Sequence, residues 1–268
     1  MAINFLHAAL WGFLGSFSLI IGGIIGSYFK VPRKIIASLI TFSAGILSSA
    51  VCFEILLEAF SYGGIFSTSI GFLIGAILFT IFDIFINNLT IKNQEKSSNK
   101  SNIKNMVSNV YKNKFNKYYN KYQTESLTAV FGAIIEGIPE AIAIGLILFI
   151  GGPISYALLI SIFLTNLFES LSGSTNMKLA NWKRKNIIGV WILVTILATI
   201  ASALSFIIFS STDYFILSIA LGISAGALIS MIADVMLPEA FKETHELTGI
   251  LMALGFLTSF ILSHLMKY

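Results

Sequence analysis

Thr41–Phe60 reads TFSAGILSSAVCFEILLEAF, and Gly222–Phe241 reads GISAGALISMIADVMLPEAF. Aligned without gaps, nine of the twenty positions are identical, including Ser-Ala-Gly near the start and Glu-Ala-Phe at the close. Each stretch is apolar and has the roughly 20 residues that a bilayer crossing requires. The rest of the chain is of the same kind. Of 268 residues, 56% are hydrophobic and 11% are charged, with a mean hydropathy of +0.86. A soluble domain of this length is seldom so apolar, so the chain reads as one polytopic membrane domain over residues 1–268. The single cysteine, Cys52, excludes an intramolecular disulfide and a CxxC site. No cleavable signal is expected, because the first residues lack a basic region and lead straight into a full-length span.

Hydropathy divides the chain into eight spans: His7–Phe29, Ile35–Phe60, Gly63–Asn87, Ser126–Ile150, Pro153–Met177, Asn186–Phe209, Tyr214–Leu237 and Leu247–Met266. The positive charges fit this count. Lys30, Arg33 and Lys34 join spans one and two, and eight lysines from Lys92 to Lys121 join three and four. Lys178, Lys183, Arg184 and Lys185 join five and six, and Lys242 joins seven and eight. These are alternate loops, and together they hold 16 of the 17 basic residues. The positive-inside rule puts them in the cytoplasm and both termini outside. The expected location is the plasma membrane.

The two opening stretches then fall in spans two and seven. They differ by five in span number, an odd step, so the copies cross the membrane in opposite directions. Each is followed by a span with Gly-Phe-Leu, at Gly71–Leu73 and Gly255–Leu257. The expected fold is an all-α membrane protein of eight transmembrane helices in a 3+2+3 arrangement. Helices 1–3 and 6–8 form the inverted repeat. Such repeats characterise transporters, with the substrate site near the midplane. Span one is rich in glycine (Gly12, Gly15, Gly22, Gly23, Gly26), which suits close helix contact. Small-residue faces on helices one and two permit a homodimer.

Residues 88–125 differ in kind, being rich in Lys, Asn and Ser. They read as a solvated cytoplasmic basic loop. A sharper reading is contact of its Lys and Tyr residues with anionic lipid headgroups. Nucleic acid is not an expected partner beside eight spans. The segment has no histidine, which makes it a poor collector of metal.

The chemistry gathers in spans four and five. Glu136 and Glu140 lie four apart around Pro139, so a helix puts them on one face. An ionised carboxylate at mid-membrane costs about 2.5–3.5 kcal/mol on the mildest scale. Two on one face also repel each other, and span four has no Lys, Arg or His to offset them. Span five carries Ser161, Thr165, Asn166, Glu169, Ser170 and Ser172 on one broad face. Interhelical hydrogen bonding accounts for the hydroxyls, at about 0.6 kcal/mol per contact. It does not account for Glu169. Pro139 also cannot donate to the carbonyl of Ile135, and backbone freed at membrane depth is tolerated where it lines a cavity. The candidate metal site is therefore all oxygen: Glu136, Glu140, Glu169, Asn166 and Thr165. Oxygen ligands suit Mn²⁺, Mg²⁺ or Ca²⁺, whereas imidazole and thiolate suit Zn²⁺ and Cu. Glu54 and Asp234 sit inside the repeat helices and line an entrance or exit, while Glu58 and Glu239 lie near helix ends. His7, His245 and His264 are scattered near span ends with no ligand spacing.

In these features the chain resembles the ZIP family of divalent metal transporters. The likeness covers nearly the whole chain. Helices two and seven look like the family's corresponding helices, and GFLTSFIL like its last one. Helix four of the family usually carries His-Asn-x-Pro-Glu-Gly, and here the six residues are Glu136, Gly137, Ile138, Pro139, Glu140 and Ala141. Helix five of the family carries a polar pair and then Glu-Gly. The counterpart here is Thr165-Asn166-Leu167-Phe168-Glu169-Ser170. The resemblance implies a carrier that moves Zn, Mn or Fe-type cations toward the cytoplasm. Glu140 and Glu169 fall on the family's metal-binding glutamates, and Thr165 and Asn166 on its ligand positions. The metal is substrate, and no cofactor is implied. The chain departs from the family at Glu136 and Gly137, where histidine and asparagine are usual, and it has no acidic residue in span six. Those departures suit the alternative, a ZIP-fold membrane sensor or scaffold that does not transport. An enzyme is not expected, because HExxH and GxSxG are absent, as is a GxxxxGK[ST] nucleotide loop.

Overall fold

A computed structural model describes residues 5–99, 130, 133–134, 137–148, 156–209 and 212–265, with backbone alone at 86–99 and 157. Glu136 and most of the basic loop lie outside these residues. Every element among them is helical. The helices are α1 (Phe5–Tyr28), α2 (Arg33–Ala50), α3 (Leu57–Asn99), α4 (Gly137–Leu148), α5 (Tyr156–Leu179), α6 (Arg184–Ile208), α7 (Tyr214–Met231), α8 (Leu237–Thr244) and α9 (Thr248–Leu265). A π-turn at Val51–Leu56 joins α2 to α3, and another at Ile232–Met236 joins α7 to α8.

Among the described residues, five stretches are long and apolar enough to cross a membrane: Phe5–Tyr28, Arg33–Phe85, Leu158–Leu179, Arg184–Ile208 and Tyr214–Leu265. The chain is thus an all-α, membrane-embedded protein. Large apolar side chains such as Leu73, Ile77, Leu193, Ile196 and Leu257 face outward along these helices, as lipid contact requires. Two stretches are far longer than a bilayer is thick. Arg33–Phe85 has 53 residues and Tyr214–Leu265 has 52, so a straight helix of either would run about 80 Å against a hydrocarbon core of about 30 Å. Both are interrupted. Gly64 takes φ 74° within α3, and His245 takes φ 46° between α8 and α9. The left-handed conformation breaks the helix at each point and re-aims the chain.

The helix α3 continues to Asn99, beyond the expected end of the third span at Asn87. Ile91–Asn99 reads IKNQEKSSN. Its Lys, Gln and Glu are good helix formers once the chain is in water. The short α8 occupies the expected interval between spans seven and eight. Pro238 stands in its first turn, where a proline's missing N–H is harmless to the helix it starts. The same missing N–H leaves the Asp234 carbonyl without its partner, which accounts for the π-turn just before it. No proline accompanies the π-turn at Val51–Leu56, and nothing in its residues explains it.

Glycine governs how the helices pair. A methyl added to Gly26 would sit 2.8 Å from the Ser174 side chain, and one on Gly15 would sit 3.2 Å from that of Ile162. Contacts thus advance together, and α1 runs parallel to α5. Ala8 meets Ser202 while Ser16 meets Thr195, so α1 runs antiparallel to α6. Phe42 meets Gly255 and Glu54 meets Ser263, which makes α2 and α9 parallel. Ser67 meets Ser218, Gly75 meets Ile223 and Thr80 meets Asp234, so α3 and α7 are parallel too. Gly137 lies beside Ala198, and Gly145 beside Ser202 and Ser205, which sets α4 parallel to α6. Trp191 is fully buried and donates from Nε1 to the Ser174 hydroxyl at 2.6 Å, tying α6 to α5.

Candidate metal site

The site is assembled where α4 and α5 meet α1. Glu140 stands one turn into α4 and is 2% exposed. Asn166, also 2% exposed, faces it from α5. The Asn166 Nδ2 donates to Glu140 Oε2 at 3.3 Å and to the Gly15 carbonyl of α1 at 3.3 Å. The amide thereby ties three helices together. A methyl at Gly15 would crowd Ile162 at 3.2 Å, so glycine suits this close approach of α1 to α5. Both hydrogen bonds use the donor end of the amide, so its oxygen is left for another group. Among the described residues neither Asn166 Oδ1 nor Glu140 Oε1 has a hydrogen-bond partner, although both are buried. An orphaned acceptor in an apolar interior costs about 1–3 kcal/mol, more if charged. Each such oxygen keeps the lone pairs that a cation would take.

Glu169 follows Asn166 on α5. It lies close enough to Glu140 for their charges to oppose one another. It is half-buried, where Glu140 is enclosed. Thr165 is buried, but its hydroxyl donates to the Ser161 carbonyl of its own helix at 2.9 Å. That geometry gives its proton to the backbone and leaves the oxygen lone pairs. Glu136, the expected partner one turn before Glu140, lies outside the described residues. Among those described, no group of three or more His, Cys, Asp or Glu side chains gathers. Of the five expected ligands, Glu140 and Asn166 are in hydrogen-bond contact, Glu169 is their neighbour, and Thr165 adjoins on the same helix.

A cavity of about 10 Å³ adjoins the Glu140–Asn166 pair and is lined in part by Gly12, Ser16, Gly137 and Ala198. That space suits about one water-sized particle. The α1 residues here were not candidates from the sequence. Their signal was the glycine stripe, which reads equally well as plain helix packing. Two other seam residues of α5 have partners of their own. Ser170 Oγ donates to the Asn166 carbonyl at 2.7 Å, and Ser161 and Ser259 hydroxyls lie 3.4 Å apart across α5 and α9. Glu54, on the first π-turn, accepts a hydrogen bond from Ser263. Asp234, on the second, is exposed and accepts a long contact from Thr80 at 3.5 Å. No protein-family model matches the chain, and no curated protein does.

Proposed function

We propose that the protein is a ZIP-like carrier of divalent metal ions, moving Zn, Mn or Fe-type cations toward the cytoplasm. The observation that carries this reading is the buried Glu140–Asn166 pair, which lines a small cavity and holds two buried oxygens with no hydrogen-bond partner among the described residues. A carboxylate enclosed at membrane depth needs a compensating positive group. No basic residue stands on α4, and the one on α5, Lys178, caps the far end of α1 at the Tyr28 and Phe29 carbonyls. A cation in transit supplies the missing charge, with Glu136 and Glu169 as further ligands.

Eight spans and an inverted repeat accompany this reading. Splitting the two long stretches at Gly64 and His245 and adding α4 gives eight crossings. Every observed pairing direction then agrees with strict alternation. The repeat finds support in matching details. In the alignment of the two copies, the π-turns begin at equivalent positions, as do the breaks at Gly64 and His245. Gly45 packs on the Met252 carbonyl and Phe256 nitrogen, as Gly226 packs on the Phe72 carbonyl and Ala76 nitrogen. In this reading the repeat bundle moves against α4 and α5 to alternate access. The protein belongs in the plasma membrane with both termini outside, and a homodimer would need another face, because the glycines of α1 and Gly45 of α2 pack on helices of the same chain.

The experiment is uptake of Mn²⁺, Fe²⁺ and Zn²⁺ into proteoliposomes, compared with Glu140→Ala. Uptake that the substitution abolishes supports the carrier. Binding without uptake moves the reading to a sensor or scaffold of the same fold.

A further inference from the structure

The α1–α2 and α5–α6 linkers are distant in sequence but meet at the C-terminal end of α1. Lys178 Nζ donates to the Tyr28 and Phe29 carbonyls at 3.2 Å each, and the Arg184 guanidinium sits 4.7 Å over the Tyr28 ring. This junction fixes the two linkers against each other and brings the segments that carry their lysines to the same end of the bundle. Lys30, Lys34, Lys183 and Lys185 are all exposed there. Neither linker contains an Asp or Glu between Phe29 and Ile36 or between Lys178 and Ile187. The surrounding residues are those of a membrane–water interface. Tyr28 and Phe29 are 54% and 64% exposed, and Trp182 is half-buried beside Lys183, matching the aromatic belt that flanks a hydrocarbon core.

We propose that this junction is a binding site for the headgroup of an acidic phospholipid. Its phosphate sits among the four lysines, and its acyl chains run down the apolar faces of α1 and α6. The chemistry is charge complementarity at short range. A lysine near an anionic membrane surface contributes about 1 kcal/mol, or about fivefold in affinity. Arg184, stacked on Tyr28, keeps its in-plane N–H groups for the phosphate. Lys178 is occupied by the α1 carbonyls and serves to position the junction. The site is separate from the Glu140–Asn166 pair and does not depend on metal transport.

Trp182 provides the test. The protein with Trp11→Phe emits from Trp182 and from the enclosed Trp191. It is reconstituted in phosphatidylcholine vesicles that contain a fixed minor fraction of brominated phosphatidylglycerol or, in parallel, brominated phosphatidylcholine. Excess quenching by the phosphatidylglycerol is expected. Replacing Lys30, Lys34, Lys183 and Lys185 by Gln should lower the preference by about fivefold per lysine. Replacing the same four by Arg should retain it, which separates loss of charge from loss of fold. Equal quenching by the two lipids, an excess that survives the Gln substitutions, or an equal loss in the Arg protein would each overturn the proposal.

Discussion

Replacing Gly45 or Gly226 by Ala tests the helix pairing that builds the bundle. A methyl at Gly45 would lie 2.8 Å from the Phe256 nitrogen and 2.9 Å from the Met252 carbonyl carbon, and closer still to that carbonyl's oxygen. At Gly226 the figures are 3.0 Å to the Ala76 nitrogen and 2.8 Å to the Phe72 carbonyl carbon, again with the oxygen nearer. All of these atoms are backbone, so no side chain can swing away. Relief requires α2 to separate from α9, or α7 from α3, by about 1 Å along most of the seam. Overpacking of this kind costs about 1–3 kcal/mol. Taking ~2 kcal/mol, the midpoint of thermal unfolding in detergent should drop by about 4–8 °C. Gly189 and Gly249 have open space at the same test, so Gly189→Ala should be neutral or slightly stabilising. The assay is thermal denaturation of the purified variants followed by circular dichroism. Both seam variants should fall by similar amounts, because the two contacts are built alike. Unchanged midpoints at Gly45 and Gly226, or a drop at Gly189 as large as theirs, would refute the parallel seams.

Three further outcomes are expected. Cysteines placed at Asn99 and after Tyr268, with Cys52→Ala as background, should label from opposite sides of the membrane, and labelling from one side would end the eight-span reading. Trp191→Phe should lower stability by about 1–3 kcal/mol in denaturant titrations, because it strands the buried Ser174 hydroxyl that now accepts the 2.6 Å bond; a neutral Trp191→Phe would mean that this bond does not tie α6 to α5. With an inner shell of oxygen, Mn²⁺ or Fe²⁺ should compete for uptake at least as well as Zn²⁺, and Glu136→His should shift preference toward Zn²⁺. Zn²⁺ selectivity in the unsubstituted protein that Glu136→His does not alter would contradict oxygen tuning.

Much of the helical architecture is legible in the sequence because bilayer thickness imposes a length that hydropathy can count. The breaks are less so. Gly63-Gly64 is readable as punctuation, whereas His245 is not, since nothing marks a histidine as left-handed in advance. The π-turns escape because one extra residue in a helix changes neither composition nor apparent period enough to register. Register between copies is also ambiguous by one turn. The Gly-Phe-Leu match equates Gly71 with Gly255, but the residue that packs on Ile223 as Gly255 packs on Phe42 is Gly75. Glycines four apart present the same small surface, so identity alone does not choose between them. At the candidate site, Glu140 and Asn166 are visible as polar residues in apolar spans. The sharing of one amide between Glu140 and the Gly15 carbonyl is not visible, because it depends on where α1 packs. Thr165 shows a related limit. A hydroxyl inside a helix satisfies itself on the preceding turn, and spacing cannot reveal that choice.

In the proposed carrier, Glu140, with Glu169 and Asn166, holds a divalent cation in place of protons. Calorimetric titration with Mn²⁺ and Zn²⁺ across a pH series, in buffers of different ionisation enthalpy, tests it most directly. Metal and protons compete for the same carboxylates, so binding should release protons and affinity should fall as pH drops. Glu140→Gln should weaken binding by at least about tenfold and remove much of the pH dependence, given that even outer-shell changes at metal sites cost about 10–100-fold. Binding without proton release, unchanged in Glu140→Gln and Glu169→Gln, would show that these carboxylates are structural and contradict the account.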